Sequence, residues 1–579
     1  MLEKVLVGAI TPNVEYPKKK ILALVLSAIA SINASAFEID TESDVKVRWD
    51  TTLKYSAAWR MQDPSAKLIA NPNLDDGDRN FKKGLISNRA DWLTELDISK
   101  NNFGGRISAA GWYDDVYRNH TDNDSPGTRN SIFNAPNDFP SGTRSIAGNY
   151  SEILDAFIFG KISGESTETT LRIGRHALIW GETLFMGRNG IAGGMAPVDA
   201  IKALAVPGSQ FKEIVRPVNQ FSMQSQLNSN ISIGAYYQFE FEPTRIPPSG
   251  SYFSSTGDMM GRGGQSVLMI PQMGPIGPYY FANEKDMRAR DSGQGGMQVR
   301  FRLDGGNTDY GLYLIRYHDK DPSTFYMKPT LPSAAWLACV KGINPALCGM
   351  FAPSMLPFTN EMGTYQQVYA EAITAFGTSF STTLGSANVA GEISLRNNAP
   401  LVNDSQLVMP GQSANNSDNP LYPVGKTAHV NLSLIDVLDK NVLWNTANIT
   451  AELAWNRRLS ISKNPDQLDP HSTRDAMSLR VLFEPTYYQV FENFDLTVPI
   501  NVSYSPYGRS SAVSNFGVER GGDFSVGLRG DYMKVWKLSL NYTKFYGTEK
   551  AYTDANNIQT FGQSMKDRDF LSFSVSRTF

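Results

Sequence analysis

Residues 45–60 read VKVRWDTTLKYSAAWR. Val45, Val47, Trp49, Leu53, Tyr55, Ala57 and Trp59 share one parity, and Lys46, Arg48, Asp50, Thr52, Lys54 and Ser56 the other. Successive side chains of a strand point to opposite faces, so this stretch makes one apolar face and one wet face. The rhythm returns along the chain. Ile231, Ile233, Ala235 and Tyr237 oppose Ser232 and Gln238; Met297, Val299, Phe301 and Leu303 oppose Gln298, Arg300 and Arg302. Ile449, Ala451, Leu453 and Trp455 oppose Thr450 and Glu452, and Trp536, Leu538, Leu540 and Tyr542 oppose Lys537, Ser539 and Asn541. The strands run to about nine to eleven residues, longer than a typical soluble strand and right for a tilted membrane crossing. Aromatics gather near their ends, as a membrane girdle requires. In lipid a strand must satisfy its backbone polar groups sideways, which only a closed sheet achieves. The fold class is therefore all-β: a transmembrane antiparallel β-barrel of about 16 strands, within roughly 14–18.

Short turns such as Asn228-Ser229-Asn230 and Asp304-Gly305-Gly306-Asn307 alternate with long Pro/Gly/Ser/Asn-rich stretches around 63–88, 119–150, 243–291, 319–362 and 397–426. Short turns on one rim and long loops on the other fit a barrel of the outer membrane. At the C-terminus Leu571, Phe573, Val575 and Phe579 alternate with Ser572, Ser574, Ser576 and Thr578, and the chain stops on Phe579. A last strand ending on an aromatic resembles the sorting signal of outer-membrane barrels. At the other end, Lys18, Lys19 and Lys20 precede the apolar run Ile21–Ala30 and then Ala34-Ser35-Ala36. Basic, apolar and small-residue regions in that order predict a secretory signal peptide over 1–36, leaving one domain, 37–579, in a Gram-negative outer membrane.

Composition excludes other classes. The chain has 579 residues, 19% charged, with a formal net charge of −3, which is unlike a nucleic-acid binder. Mean hydropathy is −0.30, and after the first thirty residues no apolar run is long enough for a membrane helix. Two cysteines rule out a disulfide scaffold or a Cys-only zinc site. Cys339 and Cys348, in a surface loop of an exported protein, predict a disulfide that stiffens the loop. The five histidines, His120, His176, His318, His429 and His471, form no H-E-x-x-H, and there is no G-x-S-x-G or G-x-G-x-x-G. No enzyme activity, cofactor or metal is expected, and the acidic run Asp75-Asp76-Gly77-Asp78 reads as a solvated turn.

The wet face carries Arg172, His176, Arg300, Arg302, Arg396 and Arg480 together with Glu240, Glu242, Glu392 and Glu452. Such charges either select a solute at a constriction or pair within a polar wall. One stretch lacks the alternation. Residues 181–217 mix apolar residues (Leu184, Phe185, Met186, Met195, Ile201, Leu204) with charges, and a short helix is expected over 198–206, between Pro197 and Pro207. This segment is either a plug inside the lumen or a lid outside it. As a plug, its apolar side would suit a hydrophobic passenger.

Arg172-Ile173-Gly174-Arg175, Trp180-Gly181-Glu182, Pro197-x-Asp199, Pro207-Gly208, Lys212-Glu213 and Pro217 come in the order seen in a proteobacterial family catalogued as domain of unknown function 1302. Residues 247–254 (PPSGSYFS), 291–296 (DSGQGG), Arg316-Tyr317-His318 and 391–396 (GEISLR) extend the resemblance over nearly all the mature chain. The resemblance implies an outer-membrane protein whose genes accompany those for breakdown or export of hydrophobic compounds and for efflux-type transporters. It transfers no site. The solute-contact candidates are Arg172, His176, Trp180, Glu182, Lys212, Glu213, Glu240, Arg300, Arg302, Glu392 and Arg396. The leading expectation is passive passage of hydrophobic or amphipathic small molecules: fatty acids, alcohols, terpenoids or sterols. The competing ones are a selective pore for polar solutes, a docking partner of an inner-membrane transporter complex, and a surface enzyme. The expected partners are outer-membrane lipid and a small-molecule solute, without nucleic acid.

Overall fold

The computed structural model describes residues 37–40, 44–135, 137–206, 211–255, 257–272, 277–340 and 360–579. The expected signal peptide and Cys348 lie outside the described residues, as does the side chain of Cys339. Among the described residues, eighteen antiparallel strands close into a barrel. They are β1 (Val45–Arg60), β2 (Gly84–Lys100), β3 (Phe103–Asp114), β4 (Asn149–Ser163), β5 (Glu168–His176), β6 (Val218–Gln226), β7 (Ile231–Gln238), β8 (Gln294–Arg302) and β9 (Thr308–Tyr317). Then follow β10 (Ile373–Leu384), β11 (Ala387–Pro400), β12 (Val424–Leu438), β13 (Thr446–Lys463) and β14 (Asp475–Phe491). The strand β15 runs as Phe494–Thr497 and Ile500–Gly508, interrupted at Pro499, which has no N–H for the ladder. β16 (Gly522–Tyr532), β17 (Trp536–Tyr546) and β18 (Phe570–Thr578) complete the circle, and β18 closes on β1 with Tyr55 opposite Val575. Eighteen is the upper end of the expected range. The short segment Phe37–Asp40 pairs with β1 from Trp49 to Lys46, so it continues the position that β18 leaves at Phe579.

Alternation sorts the wall into two faces. On β11, Ile393 and Leu395 are 52% and 49% exposed while Glu392 and Ser394 are 2% and 1% exposed. Met297, Leu314, Phe376 and Leu432 continue the apolar outer surface that lipid covers. Arg577, which breaks that parity, stacks on Trp536 and Phe579 at 5.0 and 4.7 Å from their ring centres. The connections alternate between short turns and long loops, so the nine long ones share a rim. Three of them knit a five-stranded mixed sheet from Ser266–Ile270, Tyr279–Asn283, Glu361–Val368, Thr324–Pro329 and Gln406–Leu407.

The acidic run near residue 75 corrects an expectation. Asp75, Asp76 and Asp78 are buried, not solvated. Arg60, at the end of β1, donates to Asp78 at 2.8 Å and also pairs with Asp567 at 3.1 Å, and Arg568 reaches Asp78 at 3.1 Å. The Asp76 N–H donates to Asp258 at 2.8 Å, and Asn80 donates to the Gly250 carbonyl at 2.9 Å. A Cβ at Gly77 would overlap Ser254, so this turn of chain seats only a glycine against the 247–254 motif. Here the motif holds loops together and does not face a solute.

Candidate functional site

The connection between β5 and β6 enters the barrel. Its apolar residues decide how it lies. Ile191 and Met195 are fully buried against Tyr236, Tyr313, Ile315, Tyr317, Ile373 and Ala375, the inward residues of β7, β9 and β10, with Trp180 edge-on to Tyr236 at 5.0 Å. Burying each such side chain stabilises the inward position by about 1.5–3 kcal/mol. The segment is thus an inward-folded bar held to the wall through Ile191 and Met195, while Leu184, Phe185, Met186, Ile201 and Leu204 stay half-buried.

Polar clamps fix it further down the lumen. Glu392 on β11 accepts from the N–H groups of Glu182 and Ile191 at 3.0 and 2.6 Å. Glu452 on β13 accepts from three successive N–H groups, those of Leu184, Phe185 and Met186, at 3.3, 2.5 and 2.8 Å, and from Asn431 at 2.7 Å. Arg396 donates one Nη2 to the carbonyls of Arg188, Asn189 and Gly190 at 2.8–2.9 Å. Asn189 in turn is locked among Asn431, His429 and Asn456. A carboxylate that accepts several N–H bonds, and a guanidinium that donates to several carbonyls, hold a loop without any regular secondary structure. Gly181, at φ +95°, leads into this clamp, where a Cβ would overlap the Glu392 carboxylate.

The segment then crosses to the opposite wall. Asp199 accepts from the Lys202 N–H at 3.0 Å and caps the helix Ala200–Ala205, close to the expected 198–206. Arg245 joins Asp199 at 2.8 Å and Glu152 of β4 at 2.5 Å, and Arg216 reaches Glu152 at 3.0 Å. In a circle of eighteen strands β4, which carries Glu152, and β11, which carries Glu392, are seven strands apart, so the bar runs across the lumen.

The predicted site residues divide accordingly. Glu392 and Arg396 clamp the bar, and Trp180 packs beneath it. His176 is buried, with Ser222 and the Gly174 carbonyl on its two ring nitrogens. Glu182 pairs with Arg300 at 3.1 Å on the lumen side of the bar. Arg302 pairs with Asp309 at 2.7 Å near the short-turn rim. Arg172 faces the lumen over the Phe157 ring, 5.6 Å from its centre. Glu240 departs from its parity assignment. It lies past the end of β7, where it accepts from Asn219 and pairs with Arg175, residues that alternate with lumen-facing Gln220 and His176. The side chains of Lys212 and Glu213, on the short helix Phe211–Ile214, lie outside the described residues. Sequence reasoning placed Glu452 on the lumen face but did not nominate it, and it missed Asn189 altogether. The only signal for Asn189 was its place in the one stretch without alternation.

The model of a family described as "Protein of unknown function (DUF1302)" matches residues 19–579. The chain belongs to the DUF1302 family. Comparison with curated proteins gives no match. Among solved structures, this DUF1302 chain is similar to Acinetobacter baumannii OccAB4, with 9% identity over 92% of this chain and 98% of that chain and a TM-score of 0.41. It is similar also to Acinetobacter baumannii OccAB3 (10%, 92% and 99%, TM-score 0.40) and to a BenF-like porin from Pseudomonas fluorescens Pf-5 (8%, 92% and 98%, TM-score 0.39). Several DUF1302 motif residues have structural tasks in the barrel. His318 takes the Ala372 N–H on Nδ1 at 3.0 Å, which leaves Nε2 to donate to the Ser292 carbonyl at 3.0 Å and ties three loop ends together. Asp291 accepts from the Phe241 N–H at 2.9 Å. In the 391–396 motif, Glu392 and Arg396 are the clamp itself.

Proposed function

We propose that this DUF1302 protein is a passive channel in a Gram-negative outer membrane, carrying small polar solutes past the bar formed by residues 181–206 and 211–217. The observation that supports the reading is the orientation of the bar. Its residues Ile191 and Met195 are buried against the wall, whereas the Glu182–Arg300 pair is only partly buried. The wall opposite the clamps is also polar, with Arg89 on Asp91 and Arg106 on Asp97, and beside the clamps Arg480 pairs with Asp523. A hydrophobic passenger was expected on the strength of Leu184, Phe185, Met186, Met195, Ile201 and Leu204, of which only Met195 is fully buried, and the polar reading rests on the charges around them. The chemistry required is selection by charge and size, without a catalytic step. Purified mature protein in planar bilayers should give steady ionic steps, and liposomes containing it should swell in small sugars and amino acids. A folded, inserted barrel that conducts no ions but speeds uptake of a labelled fatty acid would overturn the reading in favour of the hydrophobic one.

A further inference from the structure

At the short-turn rim, which in an outer-membrane barrel faces the periplasm, the lumen wall opens into a recess of about 590 Å³. The turn 163–167 and the side chains of Glu168, Thr170, Gln224 and Gln226 line it. That volume is within the range of small-molecule sites. Three strands set the wall around it. On the lumen face β4 carries Phe159 and Lys161, β5 carries Glu168, Thr170 and Arg172, and β6 carries Gln224 and Gln226. Across the ladders Phe159 stands opposite Arg172, Lys161 opposite Thr170, and Thr170 opposite Gln224.

Two glycines shape this wall. Gly104 of β3 lies under Phe159, where a Cβ would overlap the ring, so the ring leans over the neighbouring strand. Gly234 of β7 leaves room for the Gln298 amide of β8 to donate to Gln224 at 3.0 Å, and a Cβ there would lie 2.8 Å from both amides. An aromatic face and an amide pair are thus fixed on either side of Thr170. Gln224 is held by its Oε1, which leaves Nε2 for the lumen, and Gln226 is held by its Nε2 on the Asn228 carbonyl at 2.5 Å, which leaves Oε1. Thr170 Oγ1 makes no hydrogen bond among the described residues. The charges nearby, Lys161 and Arg172 against Glu165 and Glu168, cancel in sign, and Lys161 pairs with Glu168 at 3.7 Å.

We infer that this recess is a binding step for neutral polyhydroxylated solutes of monosaccharide size. This rests on the channel reading above and names its solute class. A hydroxyl both donates and accepts, and an open amide nitrogen, an open amide oxygen and a threonine hydroxyl together offer both partners. The Phe159 ring supplies a flat apolar face for the C–H side of a sugar ring. A balanced set of charges gives no net attraction to an ion.

The test is single-channel current through the full mature protein in planar bilayers as D-glucose is added on both sides. Wild-type current should fall to a plateau as glucose rises through the millimolar range, as a filling site requires. Thr170→Val, which keeps the shape and loses the hydroxyl, and Gln224→Ala should each raise the half-blocking concentration about fivefold, the effect of losing about one hydrogen bond. Thr383→Val, the same exchange on the lumen face of β10 near the same rim, should leave it at the wild-type value. Folding of each variant is read from its heat-modifiable gel shift. A linear fall with no plateau, or a half-blocking concentration unmoved by both recess variants, overturns the inference and leaves the channel intact. Stronger block by acetate or by the amino acid glycine than by glucose at equal concentration overturns the neutral solute class. Absence of conductance from folded, inserted protein overturns the channel reading itself.

Discussion

Glu452→Ala should loosen the bar without unfolding the barrel. One carboxylate oxygen of Glu452 serves the N–H groups of Leu184, Phe185 and Met186, and two of those bonds, at 2.5 and 2.8 Å, are short. Hydrogen bonds to a charged group contribute about 1.5–3 kcal/mol each, so two give about 3–6 kcal/mol before water replaces part of them. The lumen is wet, and a net loss of about 3 kcal/mol is expected, roughly 100-fold in the ratio of docked to undocked bar. Glu392, Arg396 and the Asn189 network still tether residues 188–191, so the bar should flicker and not swing free. The strand ladder on both sides of Glu452, from β12 to β14, makes no use of the bar. Single-channel recording should show wild-type steps turning noisy, with brief openings of larger conductance, while the heat-modifiable folded band is unchanged. Glu452→Gln keeps an acceptor but not the charge, and should fall between the two. Quiet steps of wild-type size from folded Glu452→Ala protein would refute the claim that this carboxylate holds the bar.

Four further outcomes follow from the same geometry. Asp78→Ala leaves the buried Arg60 and Arg568 without their shared partner, at about 3–5 kcal/mol; limited trypsin digestion should then cut near residues 60 and 568 while the barrel stays heat-modifiable. Burial and mutual repulsion with Asp258 push the Asp75 carboxyl above its usual range, and burial does the same to Asp258. A raised acid binds extra protons in the folded loops, so their packing is firmest below about pH 4 and weakens as pH rises through neutrality; proteolysis of residues 61–83 should be slower at pH 5.5 than at pH 8, and Asp258→Asn should flatten the difference. Glu240→Ala should leave conductance and selectivity unaltered because its partners lie on the outer side of the rim, whereas Arg300→Ala frees Glu182 in the lumen and should shift selectivity toward cations. His318→Ala removes both bonds that tie residues 292 and 372, and hydrogen exchange at the Ala372 amide should accelerate.

Most of the barrel could be read from the chain because its code is local. A two-residue period carries the in/out assignment of each side chain, and lipid outside with water inside makes that period compulsory. The placement of Arg172, Arg300, Glu392, Arg396 and Glu452 on the wet face needed nothing more. Where the backbone leaves the ladder, parity loses meaning, as it does at Glu240 past the end of β7. The strand total was bracketed only loosely, because Phe494–Gly508 is one strand broken by a proline and β5 to β8 are short.

What alternation cannot encode is which of nine long loops folds inward and what meets it there. Glu182 and Glu392 are 210 residues apart and Leu184 and Glu452 are 268 apart, and neither separation bears any trace in the local pattern. Only closure of the ring puts β11 and β13 beneath the bar and β4 across from it. The sequence by itself therefore determined a membrane barrel with a polar lumen, since each strand must satisfy lipid and water residue by residue. The tertiary structure alone decided that Glu392, Arg396 and Glu452 grip a loop, because those contacts exist only after eighteen strands have closed around one segment.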